Sequence, residues 1–147
     1  MFDPNKVTLL IKNAGLKSTQ ARIAVLGLLM QSQHGLNHQE LEKRLGENGY
    51  QFDRVTLYRT LHHLSEARII HKLVGIDRSF VFAYIDEAIS SEPSPHQTEH
   101  PHFICESCAT TYCLDQNSYT QARVEIPVGF TLKHSELQLF GICPECH

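Results

Sequence analysis

Two Cys-x-x-Cys motifs constrain the fold of this chain more than any other feature of its sequence. Four of the five cysteines form these motifs, namely Cys105, Cys108, Cys143 and Cys146. Two thiolates that are two residues apart can bind one ion from a single turn, and a second such turn completes a tetrahedral sulfur site of the kind that zinc prefers. A thioredoxin-like redox centre would instead place one motif after a strand in a βαβ pattern, which this sequence lacks. We therefore expect a structural zinc site at these four cysteines.

Charge is distributed unevenly between the two halves of the chain. The formal net charge of the 147 residues is only −3, but residues 1–75 have an excess of Lys and Arg, and residues 76–147 have an excess of Asp and Glu. This asymmetry predicts two modules, of which the first can bind a polyanion and the second can hold cations. The simpler alternative is that the charge difference between the two halves has no function.

The composition predicts a folded protein of the cytoplasm. An apolar content of 41% is sufficient for a packed core, which excludes a chain that is disordered throughout. No apolar run is long enough to span a membrane, and the first residues lack the basic and apolar segments of a secretory signal. Disulfide bonds are unusual in such proteins, so metal or redox chemistry is the default interpretation of the cysteines.

The first half of the chain has the pattern of a winged helix-turn-helix domain. Asn37 and Glu40 have the spacing of a capping box at the start of a helix. Apolar spacing, caps and β-rich runs predict, in order, a helix over residues 6–13, a helix from Ser18 or Thr19 to Met30, a helix from Asn37 to about Leu45, a helix capped by Asp53, and a hairpin of residues 69–74 and 80–84. The third of these helices is expected to stop at Gly46 or Gly49. Helices followed by a hairpin are typical of this DNA-binding fold.

The helix after Asp53 has two different faces. Its leucines at positions 57, 61 and 64 follow helical spacing and predict a buried stripe. The opposite face presents Thr56, Tyr58, Arg59, His62 and His63, which offer donors to phosphates and base edges. Taken alone, such a face is more often only a solvated helix surface.

A change of composition divides the chain into domains. Residues 86–99 are rich in Ser, Pro, Glu and His, which predicts a linker between a domain at 1–85 and a domain at 100–147. The second domain is expected to be a small α/β unit with short strands near 103–104, 111–114, 130–132 and 137–140 and a helix over 117–125, so that the whole chain is of the α+β class. About 50 residues bury too little surface to fold by burial alone, so this unit needs the zinc.

A second group of possible ligands lies next to the first motif. His100 and His102 alternate along an extended segment, so that both rings can project to one side, and Cys113 is one strand away. These three would bind an ion tetrahedrally if a fourth ligand arrived, and His71 in the wing is the best candidate because it would link the two domains. A core thiol at Cys113 and a surface histidine at His71 are the simpler alternatives.

These segments resemble the ferric-uptake-regulator (Fur) family of metalloregulators from Ala14 to Cys146. The resemblance rests on residues 15–22, 55–61, 100–105 with Cys108, 129–130 and 141–146. It implies a metal-responsive repressor that binds AT-rich palindromic double-stranded DNA as a homodimer when it is loaded with metal.

The resemblance also implies roles for single residues. Tyr58 and Arg59 would lie in the recognition helix, Lys17 would reach phosphate or the minor groove, and Arg22 and Thr56 fall in the same DNA-binding segments. The four cysteines of the paired motifs match structural zinc ligands. Regulatory-metal positions are matched by His100, His102 and Cys113, and His71 matches a ligand position of the zinc-uptake-regulator (Zur) branch.

The chain departs from the family pattern at positions that bear on the sensed metal. Cys113 stands where relatives often have Asp or Glu, and a thiolate with imidazoles favours zinc over iron or manganese. Ala83 stands where a wing cysteine or glutamate is usual, Gly35 where a histidine is common, and His134 one position before a usual histidine. Zinc is therefore the expected regulatory metal, with an iron-, manganese- or peroxide-responsive regulator as alternatives and His34, Asp86 or His96 as other fourth ligands.

Two other classes of protein also have zinc-binding cysteines and histidines. A zinc hydrolase or deaminase needs an open coordination position and a general acid/base, such as the Glu of a His-x-Glu motif, which does not occur in this sequence. A structural zinc ribbon would leave Tyr58, Arg59 and the wing without a role. We therefore expect a regulator rather than an enzyme.

Overall fold

A computed structural model describes residues 2–85, 101–114, 125–132 and 135–147. The helices and strands are α1 (Pro4–Asn13), α2 (Gln20–Gln31), β1 (Leu36–Asn37), α3 (His38–Glu47), α4 (Arg54–Glu66), β2 (Ile70–Val74), β3 (Phe80–Tyr84), β4 (His102–Cys105), β5 (Thr111–Cys113) and β6 (Gln138–Gly141). We refer to residues 2–85 as the N-terminal unit and to the described residues from 101 onward as the C-terminal unit. The predicted linker, His100, His134 and nearly all of the predicted helix over 117–125 lie outside the described residues.

Local capping explains where the helices begin. Asp3 caps α1 by accepting a hydrogen bond from the Asn5 N–H at 2.9 Å, and Pro4 has the backbone angle that the first helical position needs, so α1 begins earlier than predicted. Thr19 caps α2. The predicted capping box of α3 is confirmed, because Asn37 Oδ1 accepts from the Glu40 N–H at 2.9 Å and Glu40 accepts from the Asn37 N–H at 2.8 Å.

Of the two glycines predicted to stop α3, the structure uses Gly49, whereas one predicted strand was wrong. Helix α3 continues through Gly46 and ends at Glu47, before Gly49 adopts a positive φ of 80°. No strand forms at residues 130–132, which follow a turn in which the Phe130 N–H donates to the Pro127 carbonyl at 3.1 Å, and their side chains are exposed.

The N-terminal unit has one hydrophobic core, built around α2. Seven consecutive or nearly consecutive residues of α2 are buried, which fits its prediction as a largely buried helix. The leucine stripe of α4 is buried as predicted, and each such side chain contributes about 2 kcal/mol to folding. The other core residues come from α1, α3, β1, β2 and β3, and include Val7, Ile11, Leu36, Leu41, Leu45, Ile70 and Phe82.

The wing is an antiparallel sheet with the order β1-β3-β2. In the hairpin, Ile70 pairs with Tyr84 and Val74 with Phe80, and the Asp77 carboxylate accepts two hydrogen bonds from Ser79 in the turn. Strand β1 was not predicted; it pairs with β3 through two residues only. This pairing fixes the start of α3 against the wing.

The C-terminal unit contains a second sheet with the order β5-β4-β6, in which β4 is antiparallel to β5 and parallel to β6. Its strands lie within one residue of three of the predicted runs. Buried side chains are few in its described part, whereas apolar side chains are exposed at Val128, Phe130, Leu132, Leu139, Phe140 and Ile142. Across the described ranges, no helix combines the length and the apolar character that crossing a membrane requires.

Candidate metal centres and nucleic-acid interface

The two Cys-x-x-Cys motifs come together in the C-terminal unit. Parallel pairing of Cys105 with Gly141 brings the end of β4 next to the end of β6, and each motif then forms a tight turn. As a result, the sulfurs of Cys105, Cys108, Cys143 and Cys146 all lie within 4.8 Å of one another. We refer to these residues as the four-cysteine cluster, and its geometry can hold a metal ion.

Hydrogen bonds favour the thiolate, the form of cysteine that binds metal, at two of the four cysteines. Backbone N–H groups of Cys108 and Cys143 donate to the Cys105 sulfur and lower the pKa of this thiol to about 6. The hydroxyl of Thr110, 3.1 Å from Cys108 Sγ, lowers the pKa of Cys108. At Cys146 a hydrogen bond with Ser107 lowers the pKa, but hydrogen bonds with the other three cysteines outweigh it and the pKa is raised to about 12. A set of four sulfurs with such donors around it fits zinc better than a hard ion.

Tyr112 connects the four-cysteine cluster to the rest of the protein. Its hydroxyl donates to Cys143, and this hydrogen bond raises the pKa of the phenol to about 12. Its ring meets the ring of His34 edge-on, with 6.4 Å between the centroids. Sequence reasoning missed this residue, because a tyrosine in a short strand carries no spacing signal.

Two pairwise contacts involve three of the four residues predicted to bind a regulatory metal. His102 and Cys113 are direct cross-strand partners in β4 and β5, so their side chains project from the same face of the sheet. The ring of His71 meets the ring of His102 edge-on, at 5.4 Å between centroids, and both residues are buried. His100 is not among the described residues. Apart from the four-cysteine cluster, no group of three or more possible ligands in the described ranges is close enough to hold an ion.

The surroundings of these three residues bear on the choice of ligands. Burial raises the pKa of Cys113 to about 11, so this side chain is a thiol at neutral pH and would have to lose its proton to bind a metal. Ala83 lies opposite His71 in the wing and offers no donor atom. The alternative ligand His34 instead contacts Tyr112 and lies 3.5 Å from an Arg44 guanidinium nitrogen.

The two units also touch through their backbones. The Gly35 N–H, just before β1, donates to the Thr111 carbonyl of β5 at 2.9 Å. A Cβ atom at Gly35 would overlap Cγ1 of Val81, and Thr111 lies within van der Waals distance on the other side. Gly35, which departs from the family pattern, is thus required by close packing at this contact.

The polar face of α4 is exposed as predicted. Tyr58 is 55% exposed, and Arg59 is exposed beside it. Thr56 is half-buried, and its hydroxyl donates to the Asp53 carboxylate at 2.6 Å, so part of its hydrogen-bonding capacity serves the helix cap. Tyr58 and Arg59 are therefore the side chains of this face that are best placed to reach a ligand.

Arg22 joins the segment before α2 to α4. One guanidinium nitrogen donates to the Lys17 carbonyl at 2.7 Å, and another lies 3.2 Å from Nδ1 of His63. Lys17 itself is exposed. Arg22 therefore holds Lys17 at a fixed place beside the polar face of α4.

Comparison with known proteins agrees with this geometry. Residues 13–140 match the model of the Ferric uptake regulator family. The ferric uptake regulation protein of Haemophilus influenzae is 30% identical over 142 residues, which cover 92% of this chain and 88% of that protein.

Two solved structures are similar in fold. A zinc uptake regulator complexed with zinc and DNA has a TM-score of 0.67 and 21% identity, and the match covers 97% of this chain and 91% of that one. The ferric uptake regulator from Pseudomonas aeruginosa with manganese has a TM-score of 0.62 and 20% identity, with coverages of 94% and 98%. These similarities confirm the predicted α+β fold class.

Proposed function

The chain belongs to the ferric uptake regulator family, and we propose that it is a zinc-responsive repressor of transcription that binds DNA as a homodimer. Proteins of this family are metal-responsive regulators of transcription and not enzymes, so a zinc hydrolase or deaminase is excluded. The observation that carries the zinc-responsive switch is the ring contact between His71 and His102. It links the wing of the N-terminal unit to the sheet that carries the cysteines.

We assign DNA binding to a domain over residues 1–85. Tyr58 and Arg59 on the exposed face of α4 would enter the major groove, where Arg59 can reach a guanine edge or a phosphate. Lys17 would contact the DNA backbone or the minor groove, and the hydrogen bond from Arg22 to the Lys17 carbonyl would hold Lys17 in place. Thr56 would act at the start of α4, where its hydroxyl also supports the cap.

We assign structural zinc to the four-cysteine cluster. The support for zinc is the donor set itself, four sulfurs within 4.8 Å of one another and two of them with lowered pKa values. The described part of the C-terminal unit has few buried side chains, so a metal that crosslinks β4 to the segment after β6 would contribute much of its stability.

Regulatory metal is assigned to His71, His100, His102 and Cys113. One thiolate with imidazoles suits zinc, whereas carboxylates would suit iron or manganese. Among the fold relatives are a zinc uptake regulator with zinc and a ferric uptake regulator with manganese, so the fold alone does not select the metal. Our choice of zinc therefore rests on Cys113.

We propose that a second copy of the chain covers the exposed apolar side chains of the C-terminal unit. Phe140 and Leu139 lie on β6, at one edge of the sheet as described, and Phe130 and Val128 are exposed nearby in sequence. Exposed apolar patches of this kind mark protein interfaces. Family members act as dimers, and an AT-rich palindrome requires two symmetric copies of the N-terminal unit.

The proposed switch acts on the arrangement of the two units. His71 moves with the wing, and His102 and Cys113 move with β4 and β5. A bound zinc ion would supply bonds that connect these side chains. Once connected, the two N-terminal units of a dimer are held at the separation that two half-sites of a palindrome demand, so DNA affinity rises by pre-organisation.

A metal titration of DNA binding tests this proposal. Full-length protein with zinc in the four-cysteine cluster would be used to select duplexes from a library with a randomised AT-rich centre. Fluorescence anisotropy on the selected duplex is then measured with chelator, Zn²⁺, Mn²⁺ and, under anaerobic conditions, Fe²⁺. We expect zinc to raise the affinity by about 5- to 150-fold, the usual range of coupling between two sites.

The other outcomes separate the parts of the proposal. Failure to select any sequence contradicts DNA-specific regulation. An affinity that no metal changes contradicts the switch. An affinity that rises with iron or manganese but not with zinc leaves a metal-responsive regulator and overturns the choice of zinc.

A further inference from the structure

His38 and Tyr58 form a stacked pair at the surface of the N-terminal unit. The ring centroids are 4.2 Å apart and the planes are inclined by 25°. Offset stacks of this geometry contribute beyond the area that they bury. The pair joins the first residue of α3 to the exposed face of α4, and neither the spacing of α3 nor that of α4 predicts it.

The two partners differ in how firmly they are held. His38 lies between the two capping-box residues, Asn37 and Glu40, whose reciprocal hydrogen bonds order the first turn of α3 and with it the backbone of His38. Tyr58 is 55% exposed, and an exposed tyrosine samples several rotamers unless a neighbour restricts it. The stack therefore transfers the rigidity of the α3 start to the phenol ring of Tyr58.

The chemistry of His38 in this pair is that of a flat, neutral ring. Burial lowers the pKa of His38, with Glu42 raising it and Arg54 lowering it more weakly. Its Nε2 atom is buried and makes no hydrogen bond to any described residue. Stacking, rather than a polar contact of Nε2, thus accounts for the position of the ring.

The stacked pair forms one wall of a groove of about 420 Å³ between α3, the start of α4 and the turn of the wing. Arg54 and Arg78 also line this groove, and the carboxylate of Asp77 is already hydrogen-bonded within the wing turn. The groove places Tyr58 on the side of the unit where a DNA backbone would pass, between α4 and the wing.

We propose that His38 is a positioning residue for DNA recognition, which fixes the ring of Tyr58 before DNA arrives and thereby adds to sequence preference without contacting DNA itself. This inference rests on the proposed DNA-binding function and deepens it. A side chain that is already ordered loses less entropy on binding, so pre-organisation increases affinity for the matching sequence. Non-specific binding, which depends on phosphate contacts, gains nothing from it.

Two substitutions distinguish the effect of the flat ring of His38 from the effect of its nitrogen atoms. His38→Phe keeps a flat ring and removes both nitrogens, and His38→Leu fills the space without a flat ring. Gln31→Leu is the control, since Gln31 is exposed at the end of α2 and does not line this groove. All variants are full-length, loaded with zinc, and compared by thermal unfolding before DNA binding is measured.

The measurement is the ratio of affinities for the selected duplex and for a scrambled duplex of the same composition. We expect His38→Leu to lower this ratio roughly three- to tenfold, the range that an aromatic pair supports. His38→Phe and Gln31→Leu should leave it within about twofold of the original value. Affinity for the scrambled duplex should be the same for all four proteins.

A double substitution shows whether His38 acts through Tyr58. We expect His38→Leu to cause no further loss of preference once Tyr58→Leu is present. Additive losses would overturn the proposal, and so would an equal loss with Phe and Leu at position 38, which would make His38 a direct DNA contact. An unchanged ratio in His38→Leu would also overturn it. Failure of the original protein to select any duplex would instead reject the DNA-binding function.

Discussion

The side chains at the contact between the two units are the ones that we assign to metal-dependent regulation. His102 is buried, lies opposite Cys113 in the sheet, and meets His71 across the contact. It therefore occupies the position where a ligand from the sheet can meet a ligand from the wing. If these residues bind the regulatory metal, the effect of losing His102 should be specific to regulation.

Replacing His102 by Ala should abolish most of the zinc-dependent gain in DNA affinity, which we expect to fall from about 5- to 150-fold to near unity. The four-cysteine cluster is a separate site, so one zinc per chain should remain bound. Anisotropy titrations and metal analysis measure the two effects. Gln138→Ala, at the residue that pairs with His102 on β6, is the control and should behave as the original protein. A full zinc response in His102→Ala would remove His102 from the proposed ligand set.

Replacing Cys113 by Asp should change which metal activates DNA binding. A carboxylate is a harder ligand than a thiolate, so Mn²⁺ or Fe²⁺ should become more effective relative to Zn²⁺. The measurement is the metal titration of DNA affinity, with Cys113→Ser as the control that weakens zinc binding without supplying a carboxylate. An unaltered order of metals in Cys113→Asp would show that Cys113 is a core thiol.

Sequence analysis identified side chains that could bind metal or DNA, but it did not identify which of these side chains contact one another. Sequence analysis predicted a DNA-binding role for Arg22, which stays a prediction, but it did not predict that the guanidinium is hydrogen-bonded to the Lys17 carbonyl and close to His63. Tyr112 was not expected to act at all, although it contacts both Cys143 and His34. Such contacts depend on side-chain directions between distant segments, which spacing within one segment does not encode.

At the scale of elements, short segments decide how the N-terminal unit meets the C-terminal unit. Strand β1 has two residues, yet it pairs with β3 and directly follows Gly35, whose N–H bonds to β5. The lack of a side chain at Gly35 permits this close approach to Val81 and Thr111. Gly46 in α3, by contrast, has no atom within 4 Å of an added Cβ.

Two glycine-to-alanine substitutions should have opposite effects on stability. Gly35→Ala would place a methyl group against Val81 and should lower the free energy of unfolding by about 1–3 kcal/mol. Gly46→Ala, in α3 with no atom within 4 Å of the new Cβ, should raise it by about 0.5–1 kcal/mol. Urea denaturation of both proteins gives the signs. Equal stabilisation by the two changes would mean that β3 and β5 relax freely around residue 35.

The elements that sequence analysis predicted well are those with local signals. Caps and apolar spacing placed all four helices, since these patterns act within a few residues. Strand β1 was missed because its pairing with β3 is non-local and its length gives no alternation. Residues 130–132 were wrongly predicted as a strand, because their apolar side chains are exposed instead of being buried against a neighbouring strand.

For the whole molecule, stability is divided unequally between the two units. The hydrophobic core contains residues from Val7 to Phe82, all within the N-terminal unit. The C-terminal unit depends on a sheet of three short strands and on the four-cysteine cluster. Loss of metal should therefore affect one unit far more than the other.

Replacing Cys143 by Ser should unfold the C-terminal unit and dissociate the dimer, while the N-terminal unit keeps its helices. Structural zinc sites contribute about 10–16 kcal/mol in small zinc domains, which is as large as the stability of an ordinary domain. Metal content, thiol reactivity, circular dichroism and size-exclusion chromatography measure the outcome. Cys113→Ser is the control and should remain dimeric. A metal-free protein that stays folded and dimeric would contradict a structural role for the cluster.

The charge asymmetry, the change of composition at residues 86–99 and the two cysteine motifs predict a domain at 1–85 and a domain at 100–147, and this division stays a prediction because residues 86–100 lie outside the described residues. What could not be predicted was how the units touch. The contacts at Gly35, His34 and His71 join residues that are far apart in the chain, and each depends on the backbone path of both units. Only a three-dimensional structure brings them together.

The parallel pairing of β4 with β6 also sets the order in which a newly made chain can mature. A ribosome delivers the complete core of the N-terminal unit first, then β4 and β5, and β6 only later, so the proposed DNA-recognition surface exists before the four-cysteine cluster can be assembled. During that interval the nascent polypeptide has the proposed recognition helix but lacks Cys143 and Cys146. If the cluster is needed for pairing with a second copy, a translation product that stops before β6 would be a single recognition domain, and it would compete poorly for palindromes that reward two linked copies.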